Sequence, residues 1–351
     1  MNKSNKKIIL AIETSCDETA AAVVCGIDND LQILSNIVSS QIEIHKKYGG
    51  VVPEIAAREH VYNILPVINE ALVVANISHE QLDAIAVTQG PGLITSLHIG
   101  TETAKTLSYT WNKPLIPIHH VESHIYANFI NKDSIQFPAI VLTVSGGHTA
   151  LYLMKAHGDL KIIGETIDDA AGEAFDKGAQ LMNLGYPGGP LVSAEATKHN
   201  QSAIYNPQSK INLPRPLLNK PNFNFSFSGL KTALLYQLQK DHDWKNRIPE
   251  YCHEFQEAIV ETLVKKTIKA AAKHHAKSIL LAGGVSANTR LREFLILYAK
   301  ENLPDVTVNV PDLRYTTDNA AMVGACAYFK LQTGKVSLNN ATITADPNLE
   351  L

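Results

Sequence analysis

The chain is short of cysteine, has no excess of positive charge and contains no apolar run of membrane-spanning length. Its four cysteines in 351 residues, Cys16, Cys25, Cys252 and Cys326, form no C-x-x-C pair. That argues against a structural zinc knot and for a reducing compartment. A net charge of −3 provides no global basic field, so any nucleic-acid contact must rest on a local patch or a partner protein. The apolar run after the basic start Met1–Lys7 is cut short at Glu13, too soon for a secretory signal or a membrane span. A cytoplasmic protein with no membrane association is expected. Neither G-x-x-x-x-G-K-[ST] nor G-x-G-x-x-G occurs at a strand-to-helix turn, which removes the P-loop and dinucleotide-loop readings.

What is present is an ordinary folded composition, 45% hydrophobic and 19% charged, long enough for two domains. The sharpest signal is His120-Val121-Glu122-Ser123-His124. Histidines four apart share one helix face and can grip one metal ion. A metalloprotease helix reads H-E-x-x-H, with its glutamate roughly 80° from the middle of the histidine pair. Here Glu122 points roughly 180° away and cannot be that general base. A third ligand must come from elsewhere, and Asp318 is the natural one, with helix capping as its alternative role.

Two strand-turn-strand units open the two halves. Lys7–Ile12 returns as Thr19–Val24 around the hydroxyl- and carboxylate-rich turn Glu13–Glu18, and Pro138–Val144 returns as Thr149–Met154 around Ser145-Gly146-Gly147-His148. The pattern predicts an internal duplication with two similar lobes. Gly146 and Gly147 permit close backbone approach, and Ser145 and Thr149 offer hydroxyls to phosphate or carboxylate oxygens. Gly90-Pro91-Gly92 is either an anion site at a helix start or a close-packing turn. Gly100 and Ala104, one turn apart, look like a helix-crossing surface. A helix from about Glu54 to Ala75 is expected to bury Ile55, Val61, Leu65, Ile68 and Leu72, with a kink at Pro66. Residues 203–228 read as an irregular lid, and Lys210, Arg215, Lys220 and Lys231 as the best local basic cluster. A long helix from about Glu254 to His274 feeds the strand Ser278–Leu281, and Ala282–Asn288 then suits a nucleotide lying against a glycine turn.

In order, Glu13–Thr19, Gly49–Glu54, Gly90–Leu93, His120-x-Glu122-x-His124, Ser145–Thr149, Asp168–Lys177, Tyr186–Pro190, Phe225–Thr232, Ala282–Asn288 and Thr317–Asn319 resemble one family over nearly the whole chain. It is the tRNA threonylcarbamoyladenosine synthase catalytic subunit, bacterial and organellar branch. The resemblance implies an α/β fold of two duplicated lobes of the actin, sugar-kinase and Hsp70 type (ASKHA), with a nucleotide and metal cleft between them. The expected division is an N-terminal lobe over 1–134, a C-terminal lobe over 135–324, and a helix and tail over 325–351 packing back on the first lobe. The positions that match the family's metal ligands are His120, His124 and Asp318, for one divalent ion, iron ahead of zinc. Those matching its contacts to threonylcarbamoyl-AMP are Thr143, Val144, Ser145, Gly146, Gly147, Asp176, Gly189 and Asn288.

The implied reaction moves the threonylcarbamoyl group onto the exocyclic amine of the adenosine 3′ to the anticodon of ANN-decoding tRNAs and releases AMP; no general base is assigned. Implied partners are tRNA, an inactive paralogous subunit pairing through the N-terminal lobe, and a small P-loop ATPase. Ser123, Thr95 and His98 depart from the family's usual residues. The rival readings are an ATP-dependent small-molecule kinase of the same fold, which has no need of the histidine pair, a metallopeptidase, and a non-catalytic scaffold subunit.

Overall fold

A computed structural model of the chain describes residues 6–28, 30–131, 135–201, 211–334 and 343–351, without the side chains of 200 and 201. Lys210 and the start of the expected lid lie outside the described residues. The chain divides into two compact units. The first takes residues 1–135, 157–159 and 311–351, and the second takes 136–156 and 160–310.

The first unit begins with three antiparallel strands, β1 (Lys7–Glu13), β2 (Glu18–Ile27) and β3 (Asp30–Ser40). The short α1 (Ile42–Lys46) and long α2 (Pro53–Ala75) follow, then β4 (Ala84–Gly90), α3 (Ile94–Trp111), β5 (Leu115–His119) and α4 (His120–Tyr126). β1 and β2 are apolar at almost every position and buried along most of their length, as befits strands covered on both faces. β4 and β5 add in parallel beyond β1, giving the order β3-β2-β1-β4-β5.

The second unit repeats the plan. β6 (Ala139–Val144), β7 (Thr149–Ala156) and β8 (Asp159–Glu165) are followed by α5 (Ala171–Leu181), α6 (Gly188–Gln201), α7 (Ser228–Lys240) and α8 (Ile248–Lys273). Then come β9 (Ser278–Ala282), α9 (Thr289–Asn302) and β10 (Thr307–Asn309). β6 pairs antiparallel with β7 and parallel with β9, and the order is β10-β9-β6-β7-β8. Counted from its own first strand, each sheet has the order 3-2-1-4-5. The duplication expected from the two hairpins is therefore present in topology. The sequence pattern did not reveal β3, β5, β8 and β10: β3 and β8 mix exposed and buried positions, and β5 and β10 are only five and three residues long. α10 (Ala320–Thr333), buried over nearly its whole length, returns the chain to the first unit.

Two expectations need correction. α2 buries Ala56, His60, Ile64, Val67, Ile68 and Ala71, whereas Val61 and Leu65 are 57% and 60% exposed. The helix was right and its phase was wrong, because small Ala56 and Ala71 and the hydrogen-bonded His60 take core positions that a count of large apolar residues assigns elsewhere. The described part of the lid is also packed. Ile211, Leu213, Phe223, Phe225 and Phe227 are buried in the second core, and Arg215 bridges Glu254 and Glu261 of α8. Arg215 thus leaves the expected basic cluster.

Candidate metal centre and ligand loops

β5 runs straight into α4, so His120 and His124 rise from the end of a buried strand. Their rings meet edge to face with centroids 4.7 Å apart. Asp318 Oδ1 lies 3.1 Å from His124 Nε2 and 3.6 Å from His120 Nε2. One donor atom from each residue falls within 4.8 Å of the others. The capping role open to Asp318 belongs instead to Asn319, whose side chain accepts the Met322 N–H at 3.1 Å. Asp318 is thereby left to face the two rings.

Behind the pair sits Glu13, the fully buried end of β1. It accepts the Ser15 N–H and the Thr88 hydroxyl, both at 2.6 Å, and lies 3.1 Å from His120 Nδ1. Burial opposes charge on both partners. The mutual attraction wins, holding the Glu13 carboxyl below its ordinary range. Asp318 and Glu13 together outweigh the burial of His120 and lift it to about 9. The pocket therefore favours positive charge. His124 Nδ1 is buried without a hydrogen-bond partner among the described residues. Two imidazoles and one carboxylate, with a carboxylate behind one ring, form a donor set that fits a divalent metal.

Glu122 is 4% exposed and binds Lys330 Nζ at 2.5 Å. Its partner is thus a lysine of α10 and not the histidine pair, in keeping with the direction its spacing predicts, which leaves the metallopeptidase reading without its base. In the adjoining turn, burial, Asp318 and Asp17 push Glu18 up to about 10, and burial with the same carboxylates pushes the Cys16 thiol up. Cys16 is consequently no nucleophile. His60 ties this turn to α2 through Thr19 Oγ1 at 2.7 Å and the Cys16 carbonyl at 3.0 Å.

In the second unit, Thr143 and Val144 end β6 and Ser145-Gly146-Gly147 forms the turn. A Cβ on Gly146 or Gly147 would meet nothing within 4 Å. The Gly172 and Glu173 N–H groups donate to the Ser145 and Gly146 carbonyls at 3.2 and 3.1 Å, so the start of α5 holds this turn. Asp176 accepts the Gly188 N–H at 2.7 Å at the start of α6, which brings Asp176 and Gly189 together. Asn288 caps α9 through the Leu291 N–H, and its amide donates to Gln256 Oε1, both at 2.9 Å. Thr143 Oγ1 and Ser286 Oγ are buried hydroxyls without partners among the described residues.

The Gly90 turn is close packing. A Cβ on Gly92 would lie 2.5 Å from the Ser15 carbonyl oxygen, and the Leu93 N–H donates to that same oxygen at 2.8 Å. Gly100 likewise faces Thr14 Oγ1, at 2.3 Å from a notional Cβ. Sequence reasoning overlooked Glu13, Gln256 and Asp168 as individual residues. Asp168 accepts from the Ser226 and Ser228 hydroxyls, each at 2.6 Å, and the Phe227 N–H at 2.8 Å, fixing the entry to α7. The available signal for Glu13 was a carboxylate ending an otherwise apolar strand.

Two five-stranded sheets of one duplicated topology, one unit bearing a His-His-Asp cluster, define a two-lobed α/β protein of the ASKHA class. HypF from T. kodakarensis shares this fold at a TM-score of 0.64 and 12% identity, over 96% of this chain and 49% of that one. Component A of the Acidaminococcus fermentans (R)-2-hydroxyglutaryl-CoA dehydratase aligns at 0.50 and 16%, over 93% and 99%. Residues 32–325 match the family described as "TsaD: tRNA N6-adenosine threonylcarbamoyltransferase". Relatives of that name from Thermosipho africanus and Bacillus subtilis are 48% and 47% identical, over 98% and 95% of this chain and 100% and 93% of theirs. The chain belongs to this family and is an acyltransferase that modifies tRNA. Among the described residues no helix is long and apolar enough to cross a membrane.

Proposed function

We propose that the chain transfers the threonylcarbamoyl group of threonylcarbamoyl-AMP to the exocyclic amine of the adenosine 3′-adjacent to the anticodon in ANN-decoding tRNAs. The amine nitrogen bonds to the carbamoyl carbon, the bond from that carbon to the phosphate oxygen breaks, and AMP leaves with the electron pair while the amine loses a proton. The observation that carries this reading is the convergence of His120, His124 and Asp318 on one donor triangle. These three would hold one divalent ion, iron ahead of zinc, which when bound supplies Lewis acidity toward the carbonyl or carboxylate of the acyl group. Glu13 fixes the His120 ring with its Nε2 toward Asp318.

The donor-binding set assigned to the second unit is Thr143, Val144, Ser145, Gly146, Gly147, Asp176, Gly189 and Asn288. In support, the Gly146 and Gly147 backbone is open to close approach, and the Thr143 hydroxyl, without a partner among the described residues, can bond polar atoms of the donor. With AMP as a good leaving group, the residues' main task is positioning. The partners assigned are an inactive paralogue on the first unit and a small P-loop ATPase, with a cytoplasmic location. The paralogue fits α2, which exposes Val61, Tyr62, Leu65 and Val73.

The test is nucleoside mass spectrometry on tRNA from cells depleted of their own enzyme. The native chain should restore threonylcarbamoyladenosine, and a folded His120→Ala, His124→Ala chain should not. Equal restoration by both would end the metal assignment, and none by the native chain with its partners present would end the reaction.

A further inference from the structure

The helix that carries both histidines is only seven residues long. A helix so short has little stability of its own and takes its position from what grips its ends. Its grip is His119, 8% exposed, whose Nδ1 accepts the Glu122 N–H at 3.4 Å as the N-cap. The opposite ring nitrogen, Nε2, lies 3.0 Å from the carbonyl oxygen of Leu349. One neutral tautomer satisfies both contacts, with the proton on Nε2 donated to Leu349.

Leu349 is itself held. Ile343 is buried in the first core. Gln89 Nε2 donates to the Thr344 carbonyl, and the Asp346 N–H donates back to the Gln89 carbonyl, both at 2.9 Å. The Gly92 N–H reaches the Pro347 carbonyl at 3.4 Å. Gly90, which pairs with His119 in the β4–β5 ladder, makes the approach possible. A Cβ there would stand 1.8 Å from the Asp346 carbonyl oxygen. Residues 343–351 thus cross the ends of β4 and β5 and finish on the capping histidine.

We propose that residues 343–351 form a strap that fixes His119 in its capping position, and that His119 is thereby a positioning residue for the helix bearing His120 and His124. The metal consequence rests on the ligand set proposed above. Ligands on a loosened helix hold an ion less well, because the donor atoms must stay within about 0.5 Å of their working geometry.

The test compares the full chain with a chain ending at Asp346, with Gly90→Ala, with His119→Asn, and with His119→Asn in the shortened chain. Asparagine still caps a helix but lacks the ring nitrogen that reaches Leu349. Amide exchange of residues 120–126 is measured in the metal-free protein, and the zinc dissociation constant by chelator competition. Shortening the chain should accelerate exchange in α4 and weaken zinc binding about tenfold. Gly90→Ala, which keeps every strap residue, should do the same, and shortening the His119→Asn chain should add little.

Unchanged exchange in both the shortened and the Gly90→Ala chains overturns the strap. Equal, additive losses in the two backgrounds overturn the route through His119. Unchanged zinc affinity despite faster exchange overturns the positioning role. A full chain that binds no zinc or iron refutes the ligand set instead, and the exchange data then decide the strap alone.

Discussion

Glu13 illustrates how one side chain sets the chemistry of a ligand it does not join. Its carboxylate is fully buried and stays charged because His120, Thr88 and the Ser15 backbone surround it. Glu13→Gln keeps the shape and removes the charge behind the imidazole. Zinc or iron affinity should fall about 10- to 100-fold by chelator competition, and the thermal midpoint should fall too, because the buried His120 loses its paired carboxylate. Lys266 is the opposite case, a buried charge that meets no carboxylate among the described residues. It is 1% exposed and donates to the Asn222 carbonyl at 3.0 Å, and burial, reinforced by Lys269, holds it down at about 8. Below that pH the folded chain carries a desolvated ammonium. From pH 8 toward the ordinary lysine value near 10.4 the folded state releases its proton while the unfolded state keeps it, so stability rises with pH in that window. Lys266→Met should be more stable than the native chain at pH 7, on the order of 1 kcal/mol. Urea titrations at pH 7 and 9.5 should find that gap narrowing.

At the level of elements, glycines join α5 to the Ser145 turn. A Cβ on Gly172 would lie 2.5 Å from the Ser145 carbonyl oxygen and 2.8 Å from Gly146 Cα. Since this is backbone against backbone, Gly172→Ala must push the turn away from the α5 N–H groups that hold it. KM for the acyl donor should rise at least tenfold in steady-state assays, with the metal content of the first unit unchanged. Such contacts show what the sequence could and could not convey. The histidine pair was legible because 3.6-residue periodicity is local, and the duplicated hairpins because apolar strands flank polar turns. Asp318 was legible as one of two alternatives, and only the Asn319 cap decides between them. Glu13, Gln256 and Asp168 were not singled out, because their partners lie 32 to 107 residues away in the chain. The pairing of Arg215 was hidden for the same reason, its carboxylates being 39 and 46 residues distant. The phase of α2 failed because alanine and a bonded histidine can fill a core as well as leucine.

For the molecule as a whole, the net charge of −3 must be reconciled with a polyanionic substrate. A uniformly weak field cannot gather tRNA, so attraction has to come from regions where cations lack partners. In the second unit Lys161 of β8, Lys269 and Lys273 of α8, and His275 are exposed. None forms an ion pair with a carboxylate among the described residues. They are close enough that Lys273, Lys161 and His275, after burial, hold His274 below its ordinary value. Lys273 also lies 5.3 Å over the Phe223 ring. Counterion release makes phosphate contacts visible as a salt slope, with each one contributing about 0.7 to 0.9 to the fall of log K with log salt. Lys161→Glu with Lys273→Glu should weaken tRNA binding about tenfold near 100 mM salt and reduce that slope by about 1 to 2. Both substitutions lie on exposed positions, so the unfolding midpoint should hold. A slope identical to that of the native chain would assign the phosphate contacts to other cations, with Lys220 and Lys231 next to be changed, and would leave this surface as solvated lysine alone.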